Sequence, residues 1–183
     1  MNNPWFTADT HFGHEKIIGY CDRPFKNVEE MDSTMILNWN EVVDEHDEVY
    51  HLGDFAFTND PEKVNWYLSQ LNGKVRLVKG NHDNLRVLKK TKFAFIKPVM
   101  DLRVNNGRVD VSVTLSHFAH RVWNKKHYGA WHLHGHSHGR LERVPGDLSL
   151  DVGQDCWGFT PVSFDKIHGE MEKIKVEHEK TRA

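Results

Sequence analysis

The stretch Trp131–Gly139, WHLHGHSHG, places four histidines within seven residues. The whole chain holds 14 histidines among 183 residues. Histidine is the commonest metal ligand in proteins and a frequent acid or base, so this concentration indicates a chemical role. The first four residues of the stretch alternate as a β-strand does, and two glycines bound the loop that follows. The fold must therefore bring a strand up to a histidine-rich loop.

The two pairs of histidines in this stretch have different predicted roles. His132 and His134 alternate with Leu133, so both side chains lie on one face of the predicted strand, where we expect buried, supporting roles. His136 and His138 follow in the loop. On an extended loop, residues two apart can direct both rings towards neighbouring ions, and the flanking glycines allow a sharp turn and a close backbone approach. We therefore expect His136 and His138 to be metal ligands.

Four other polar clusters follow predicted strands in the same way. Each lies where an apolar run ends, and the clusters are Asp9 with His11, Asp54, Asn81 to Asp83, and His117. Loops at the carboxyl ends of strands are where α/β sheets bind their ligands. A single Asp-x-His or Gly-Asp occurs by chance in many proteins, but five clusters in series are far more specific. We expect all five to meet at one site.

Helix and turn signals indicate the fold class. Residues 27–43 place apolar side chains at spacings of three and four, with Asn27 as the predicted N-cap. Two further helices are predicted after Asp60 and after Ser163. The stretch Asn105–Gly107 is typical of a β-hairpin turn. Helices and strands alternate in the first half and strands dominate the second, which predicts an α/β fold with strands in two sheets and helices outside them.

Length and composition indicate one domain spanning residues 1–183, because 183 residues with 38% hydrophobic content bury one sizeable core but rarely two. Lys and Arg total 24 against 26 Asp and Glu, and the net charge of −2 does not by itself indicate a nucleic-acid or membrane partner. No apolar run reaches the 18 or so residues that span a bilayer. Cys21 and Cys156 lie far apart and the N-terminus lacks a signal-peptide pattern, so we expect a reduced, cytoplasmic protein.

The five clusters supply a donor set suited to metal ions. It comprises two carboxylates, one amide oxygen and four imidazoles: Asp9, His11, Asp54, Asn81, His117, His136 and His138. Such donors suit divalent ions of manganese, iron, nickel, cobalt or zinc, and the lack of thiolates argues against a structural zinc cage. Seven donors are too many for one four-coordinate ion and about right for two ions that share a bridge. A carboxylate can bridge because both its oxygens carry lone pairs, and Asp54, alone in its cluster, is the predicted bridge.

Two divalent ions about 3.5–4 Å apart lower the pKa of a trapped water and stabilise the attacking and leaving oxygens at phosphorus, so this donor set favours phosphoryl chemistry. The order Asp-x-His, Gly-Asp, Gly-Asn-His-Asp, His, Gly-His-x-His over residues 9–138 resembles the calcineurin-like metallophosphoesterase superfamily. More narrowly, FTADTHFGHEKIIGYCDRPF and DVGQDCWGFTPVSFDKI resemble the small single-domain phosphoesterases of bacteria and their phages. The resemblance implies a sandwich of two mixed β-sheets flanked by α-helices, with a two-metal site at the strand ends.

The resemblance also implies individual residue roles. One ion would be held by Asp9, His11, Asp54 and His138, and the other by Asp54, Asn81, His117 and His136. His82 would be the catalytic residue that protonates the leaving oxygen or steadies the phosphoryl group, with Asp83 orienting its ring. The implied activity is hydrolysis of phosphate mono- or diesters by a metal-bound hydroxide, on a small-molecule or nucleotide-type substrate. Two Mn²⁺ ions are the favoured cofactors, and iron, nickel, cobalt or zinc are alternatives.

Other residues near the clusters are candidates for secondary roles. Arg23, His120 and Arg121 are predicted substrate contacts, the arginines because a guanidinium fork binds phosphate. His14 and His51 adjoin the ligand loops, where each could hydrogen-bond a ligating carboxylate. Tryptophans are expected in the core, although the last three of them are close enough to the site to stack on a nucleobase: Trp39, Trp66, Trp123, Trp131 and Trp157.

Two other functions stay open on the sequence alone. A catalytically silent scaffold of the same fold would bind metal without turnover, although such scaffolds usually lack catalytic residues that are all present here. A nuclease would act on nucleic acid. The near-neutral charge and the lack of an appended DNA-binding domain weaken this alternative.

Overall fold

The strands form two mixed sheets in a computed structural model that describes residues 3–182. The strands are β1 (Trp5–Thr7), β2 (Glu48–His51), β3 (Lys74–Val78), β4 (Phe95–Lys97), β5 (Val99–Asn105), β6 (Asp110–Ser116), β7 (Trp131–His134), β8 (Ser149–Asp151) and β9 (Val162–Ser163). The first sheet has the order β4-β3-β2-β1-β9, in which β9 is antiparallel to β1 and the other pairs are parallel. The second has the order β5-β6-β7-β8, in which β5 is antiparallel to β6. The predicted pair of mixed sheets is confirmed.

Five helices flank the sheets in residues 3–182, and the three that the sequence predicts begin where expected. They are α1 (Glu15–Tyr20), α2 (Val28–Val42), α3 (Pro61–Ser69), α4 (Leu85–Leu88) and α5 (Phe164–Arg182). Asn27 Oδ1 accepts a hydrogen bond from the third residue of α2 at 2.9 Å, and Asp60 Oδ1 accepts one from the second residue of α3 at 2.9 Å. Both caps satisfy amide groups that a helix leaves unpaired at its start. No helix in the described ranges is long and apolar enough to cross a membrane.

Hydrophobic side chains cover both faces of the first sheet. Val49 and Tyr50 are neighbours in β2 and belong to different clusters, because successive strand residues point to opposite faces. Tyr50 packs with Leu115 and Leu133 of the second sheet, so this cluster lies between the two sheets. Val49 packs with Trp39 of α2 in the other cluster. The sheets are thereby held face to face, and helices cover the outer side of the first sheet.

The tryptophans are mostly core residues, as expected. Trp39, Trp123 and Trp131 are buried, and Trp157 packs against the cluster between the sheets. Trp66 contradicts the expectation, since 54% of its surface is exposed. Its neighbour Tyr67 takes the buried position on α3 instead, with 3% exposure. The apolar face of α3 is therefore rotated relative to the predicted one.

Candidate metal centre

The five polar clusters meet at the carboxyl ends of strands from both sheets. Asp9, Asp54 and Asn81 follow β1, β2 and β3, while His117 and His136 follow β6 and β7. The backbone amide of His136 donates to Asp9 Oδ2 at 2.8 Å, which joins the two sheets at this point. Parallel strands within each sheet deliver their loops to a common edge, and the packing of the sheets brings the two edges together.

Close packing of the ligand loops explains two glycines of the histidine-rich stretch. A Cβ atom on Gly135 would lie 2.5 Å from both Ala8 Cβ and Asp9 Oδ2, which leaves no space for a side chain. Gly139 has a φ of +74°, in the left-handed region that favours glycine. The predicted close approach and sharp turn are both confirmed.

Residues 3–182 contain three groups of candidate ligand atoms, of which one is Cys21, His138 and Asp155, and the other two contain the predicted ligands. Asp9, His11 and His138 form the first group, and Asp54, His117 and His136 form the second; within each group the ligand atoms lie within 4.8 Å of one another. His136 and His138, two residues apart, therefore belong to different groups. This division matches the two ligand sets that the family resemblance implies.

Asp54 belongs to the second group and also faces the first group. Its Oδ2 is 3.8 Å from His11 Nε2 and 3.3 Å from His117 Nε2. Its Oδ1 accepts a hydrogen bond from the backbone amide of His82 at 2.8 Å. One carboxylate oxygen thus faces an imidazole of each group while the other oxygen is held by the backbone. A bridging carboxylate needs this placement.

The backbone is left-handed at many of the predicted ligands. Positive φ angles of 57°, 52°, 56°, 68° and 47° occur at Asp9, His11, Asp54, His136 and His138, respectively. The expectation of an extended loop at the last two histidines is therefore wrong. A left-handed residue other than glycine costs about 1 kcal/mol or more, and such strain persists where the surrounding structure holds it, often at functional sites. In this protein, five of the residues with a left-handed backbone are predicted metal ligands.

Buried donors of the first group fit a cation. Within residues 3–182, neither ring nitrogen of His11 has a hydrogen-bond partner, and neither does Asp9 Oδ1. Burial raises the pKa of Asp9 to about 7 and lowers the pKa of His11 to about 2. A desolvated carboxylate and a neutral imidazole with free lone pairs are both stabilised by a divalent cation in place of the lost water. The residues present therefore fit a metal ion.

Hydrogen bonds fix the orientation of the His117 ring in the second group. His117 Nδ1 donates to the carbonyl oxygen of Leu52 at 2.8 Å, which leaves Nε2 facing Asn81 Oδ1 at 2.8 Å and the Asp54 carboxylate. Burial would lower the pKa of His117, but Asp54 more than offsets this and raises it. Burial would likewise raise the pKa of Asp54, yet His117 helps to lower it to about 2. A metal ion bound between these groups would replace the proton on Nε2 of His117, because metal ligands must be deprotonated.

Comparison with known proteins identifies the family. The sequence matches the calcineurin-like phosphoesterase superfamily domain over residues 6–161. The chain belongs to this superfamily. The two mixed sheets, the flanking helices and the loop-borne ligand groups described above are consistent with its fold.

Proteins similar to this chain in sequence include an archaeal protein and a phage protein. It is 36% identical to the uncharacterised protein MJ1445 of Methanocaldococcus jannaschii, over 96% of this chain and 95% of the relative. It is 29% identical to the gene 66 protein of Mycobacterium phage L5, over 97% of this chain and 98% of that protein. Among solved structures, the protein of unknown function AQ665 from Aquifex aeolicus has a TM-score of 0.68 and 24% identity, and the similarity covers 93% of this chain and 100% of that one. The structural likeness supports the fold.

Asp155, which the sequence does not indicate as a site residue, holds one histidine of the first ligand group in place. His138 Nδ1 lies 2.7 Å from Asp155 Oδ2. Arg23 contacts both oxygens of the same carboxylate at 2.9 Å and also donates to the carbonyl oxygens of Asp9 and Thr10. Asp155 lies inside a stretch that resembles the family, but spacing alone gives it no special signal. In the structure it ties His138 to the loop that carries Asp9.

Arg23 is predicted to contact a substrate phosphate, but in the structure it pairs with Asp155. The residue is 4% exposed, and its guanidinium fork is occupied by Asp155. Burial would raise the pKa of Asp155, but hydrogen bonds from His138 and Arg23 lower it to about 2. The arginine therefore balances buried negative charge beside the ligands, and this contact replaces the expected one.

Asp83 also differs from its predicted role. Its Oδ2 accepts from the amides of Asp54 at 2.9 Å and Gly80 at 2.8 Å, and its Oδ1 accepts from the amide of Phe55 at 3.1 Å. This buried carboxylate clamps two ligand loops together instead of orienting the ring of His82. His82 is exposed, and its ring centroid lies 5.7 Å from that of His11. Its catalytic role stays a prediction.

The histidines predicted to have supporting roles are buried and contact the ligand loops. His132 Nε2 accepts from the amide of His120 at 2.9 Å, and its Nδ1 donates to Thr114. His134 is 5% exposed and contacts the carbonyl oxygen of Gly135. The supporting role expected for both is confirmed.

The other two histidines near the ligand loops contact groups other than carboxylates. His51 is bonded to Thr10 Oγ1 at 2.9 Å and accepts from the Gly53 amide at 3.2 Å. His14 stacks on Phe57 with ring centroids 3.9 Å apart. Both therefore support the site through neighbours of the ligands.

His120 and Arg121 lie on one side of the centre. They line a pocket of about 190 Å³ together with Leu141 and Arg143. The ring of His120 stacks on buried His132 at 5.1 Å, while Arg121 is exposed. Substrate contact by either residue stays a prediction.

Proposed function

We propose that this protein is a phosphoesterase that uses two divalent metal ions, preferentially Mn²⁺, to hydrolyse a small or nucleotide-type phosphodiester. The observation that carries the proposal is the position of Asp54, whose Oδ2 faces His11 at 3.8 Å and His117 at 3.3 Å. A carboxylate between two imidazole-bearing groups suits a pair of ions that share one ligand.

The ligand roles follow the two groups. Asp9, His11, Asp54 and His138 would hold one ion, and Asp54, Asn81, His117 and His136 would hold the other. When bound, the ions would neutralise phosphoryl oxygens and lower the pKa of the water that attacks phosphorus.

The protein's own acid would be His82. Its backbone amide is fixed on Asp54 Oδ1, while its side chain is exposed beside His11. From this position the imidazole can donate a proton to the oxygen that leaves phosphorus. Asp83 would contribute by keeping the loops of Asp54 and Gly80 together.

The test combines metal content with turnover. Purified protein is stripped with a chelator, reloaded with Mn²⁺ or Mg²⁺, and assayed with bis-p-nitrophenyl phosphate and p-nitrophenyl phosphate. We expect no activity after stripping, two ions per chain after Mn²⁺ loading, and restoration by Mn²⁺ at least as strong as by Mg²⁺, since four imidazoles suit Mg²⁺ poorly. Two bound ions without turnover of either ester would instead indicate a metal-binding scaffold.

A further inference from the structure

A second pocket lies beside the metal centre and has aromatic walls. It has a volume of about 470 Å³, and its lining includes His14, Lys16, Tyr20, Phe57 and His82. Small-molecule sites usually occupy roughly 300–1,000 Å³, so this space is large enough for a substrate group. His82 also lies beside His11, so it connects this aromatic pocket to the metal centre.

The rings of the aromatic pocket form a continuous series. His14 and Phe57 are nearly parallel, at 12° and with centroids 3.9 Å apart. Phe57 meets the ring of His82 at 6.0 Å, and Tyr20 meets His14 edge-on at 6.3 Å. Phe57 is 49% exposed and Tyr20 is 61% exposed. Large aromatic surfaces therefore face solvent next to the proposed acid.

We propose that the aromatic pocket binds the nucleobase of the nucleoside that leaves when a nucleoside phosphodiester is hydrolysed. This inference rests on the proposed function and names its substrate class. His82 would protonate the leaving oxygen, so the atoms attached to that oxygen extend past His82 into the pocket. A base has a flat π-face that stacks on exposed aromatic rings. Glu15 and Lys16 in the lining supply polar groups for the base edge, which an alkyl leaving group would not use.

Phe118 is also 49% exposed near the centre, but its ring contacts His117 and His136 and does not line the aromatic pocket beside His82. The sequence places three tryptophans beside the site: Trp123 and Trp131 are 6% and 1% exposed and belong to the core, and Trp157 packs against the cluster between the sheets. The bonds and protons of the proposed hydrolysis balance as follows. A P–O bond forms to water and the P–O bond to the nucleoside breaks; the leaving oxygen takes a proton from His82, and the proton lost by water returns through solvent.

A binding measurement tests the pocket without requiring turnover. Adenosine 5′-phosphate and ribose 5-phosphate share the phosphate and the sugar and differ in the base. We expect Mn²⁺-loaded protein to bind the adenosine compound roughly tenfold more tightly by calorimetry, within the range that one stacked base contributes. Phe57→Ala and Phe57→Leu should reduce this preference to about twofold. The leucine variant keeps an apolar side chain but has no ring, and metal content is checked for both.

A tyrosine elsewhere provides the matched control. Tyr128 is 80% exposed and ends a short 3-10 helix before β7, at the opposite end of that strand from the ligand loop. Tyr20→Ala should weaken the preference for the base, whereas Tyr128→Ala should leave it as in the wild-type protein. Equal affinity for the two phosphates in the wild-type protein, or an undiminished preference in the Phe57 and Tyr20 variants, would overturn the proposal.

Product analysis tests the orientation of the substrate. The methyl ester of adenosine 5′-phosphate has two alcohols of similar basicity as alternative leaving groups. We expect adenosine and methyl phosphate as the main products of the wild-type protein, and a shift towards methanol and adenosine 5′-phosphate in Phe57→Ala. Methanol as the main wild-type product would contradict the pocket assignment. A preference for the base in binding, combined with no hydrolysis of any ester, would support the pocket and refute the proposed function.

Discussion

His138 donates from Nδ1 to Asp155 Oδ2 over 2.7 Å, while Arg23 contacts both oxygens of the same carboxylate. With Nδ1 engaged as the donor, Nε2 of His138 keeps its lone pair for the group that contains Asp9 and His11. A carboxylate behind a ligating histidine fixes its tautomer and orientation. Asp155 is therefore a positioning residue for one half of the centre.

Asp155→Asn should weaken metal binding at one site and spare the other. The amide is a poorer partner for both His138 and Arg23, and loss of such support typically lowers metal affinity about 10- to 100-fold. Calorimetric Mn²⁺ titration should show one weakened and one unchanged site. Asp110→Asn is the control, since Asp110 pairs with Arg103 at the surface. Unchanged affinity at both sites would show that Asp155 does not position His138.

Asp54→Asn should lower occupancy at both sites and abolish activity, because Asp54 faces an imidazole of each group. Changes at outer ligands such as His136 should lose less metal. The measurement is metal content per chain after Mn²⁺ loading and gel filtration. Two full equivalents in the Asp54 variant would refute the bridging assignment.

His82→Ala should retain both ions while losing roughly 10²- to 10⁴-fold in turnover, the usual contribution of a positioned acid. Metal content should persist because the contact to Asp54 comes from the backbone amide, which alanine keeps. The loss should be large on an alkyl or nucleoside diester and small on a p-nitrophenyl ester, whose leaving group hardly needs a proton. Equal losses on both would instead indicate that His82 holds the phosphoryl group, and loss of metal would make it a ligand.

Tyr67→Phe should destabilise the metal-free protein by about 1–2 kcal/mol, because its hydroxyl donates to Asp32 Oδ2 at 2.7 Å. Asp32 in turn accepts from the amide of Gly13 in the first ligand loop. Burial raises the pKa of Asp32, so its ionised form is destabilising in the folded state, and losing the donor raises this pKa further. The loss of stability should therefore be larger at neutral pH than in acid.

Urea denaturation of chelator-treated protein at both pH values measures this effect. Tyr128→Phe is the matched control, because that tyrosine is 80% exposed. A Tyr67 variant as stable as the wild-type protein at neutral pH would show that the link from α3 through Asp32 to the ligand loop contributes nothing.

Local sequence predicts the start of a helix better than the face that it buries. Asn27 and Asp60 cap helices where predicted because a cap depends on residues two or three positions away. Trp66 is expected in the core but is exposed, because its neighbour Tyr67 occupies the buried face of α3. Packing against residues distant in sequence buries Tyr67, and its hydroxyl donates a hydrogen bond to Asp32.

The candidate donors and their order along the chain could be predicted from local patterns, since each donor follows a strand that its own residues indicate. The two-sheet α/β class could also be predicted from the sequence. Two contacts could not be predicted from the sequence: the pairing of Arg23 with Asp155, and the clamp that Asp83 forms on the loops of Asp54 and Gly80. The physical reason is separation along the chain. Arg23 and Asp155 are 132 positions apart, and their contact depends on how two sheets pack, which no short-range spacing encodes.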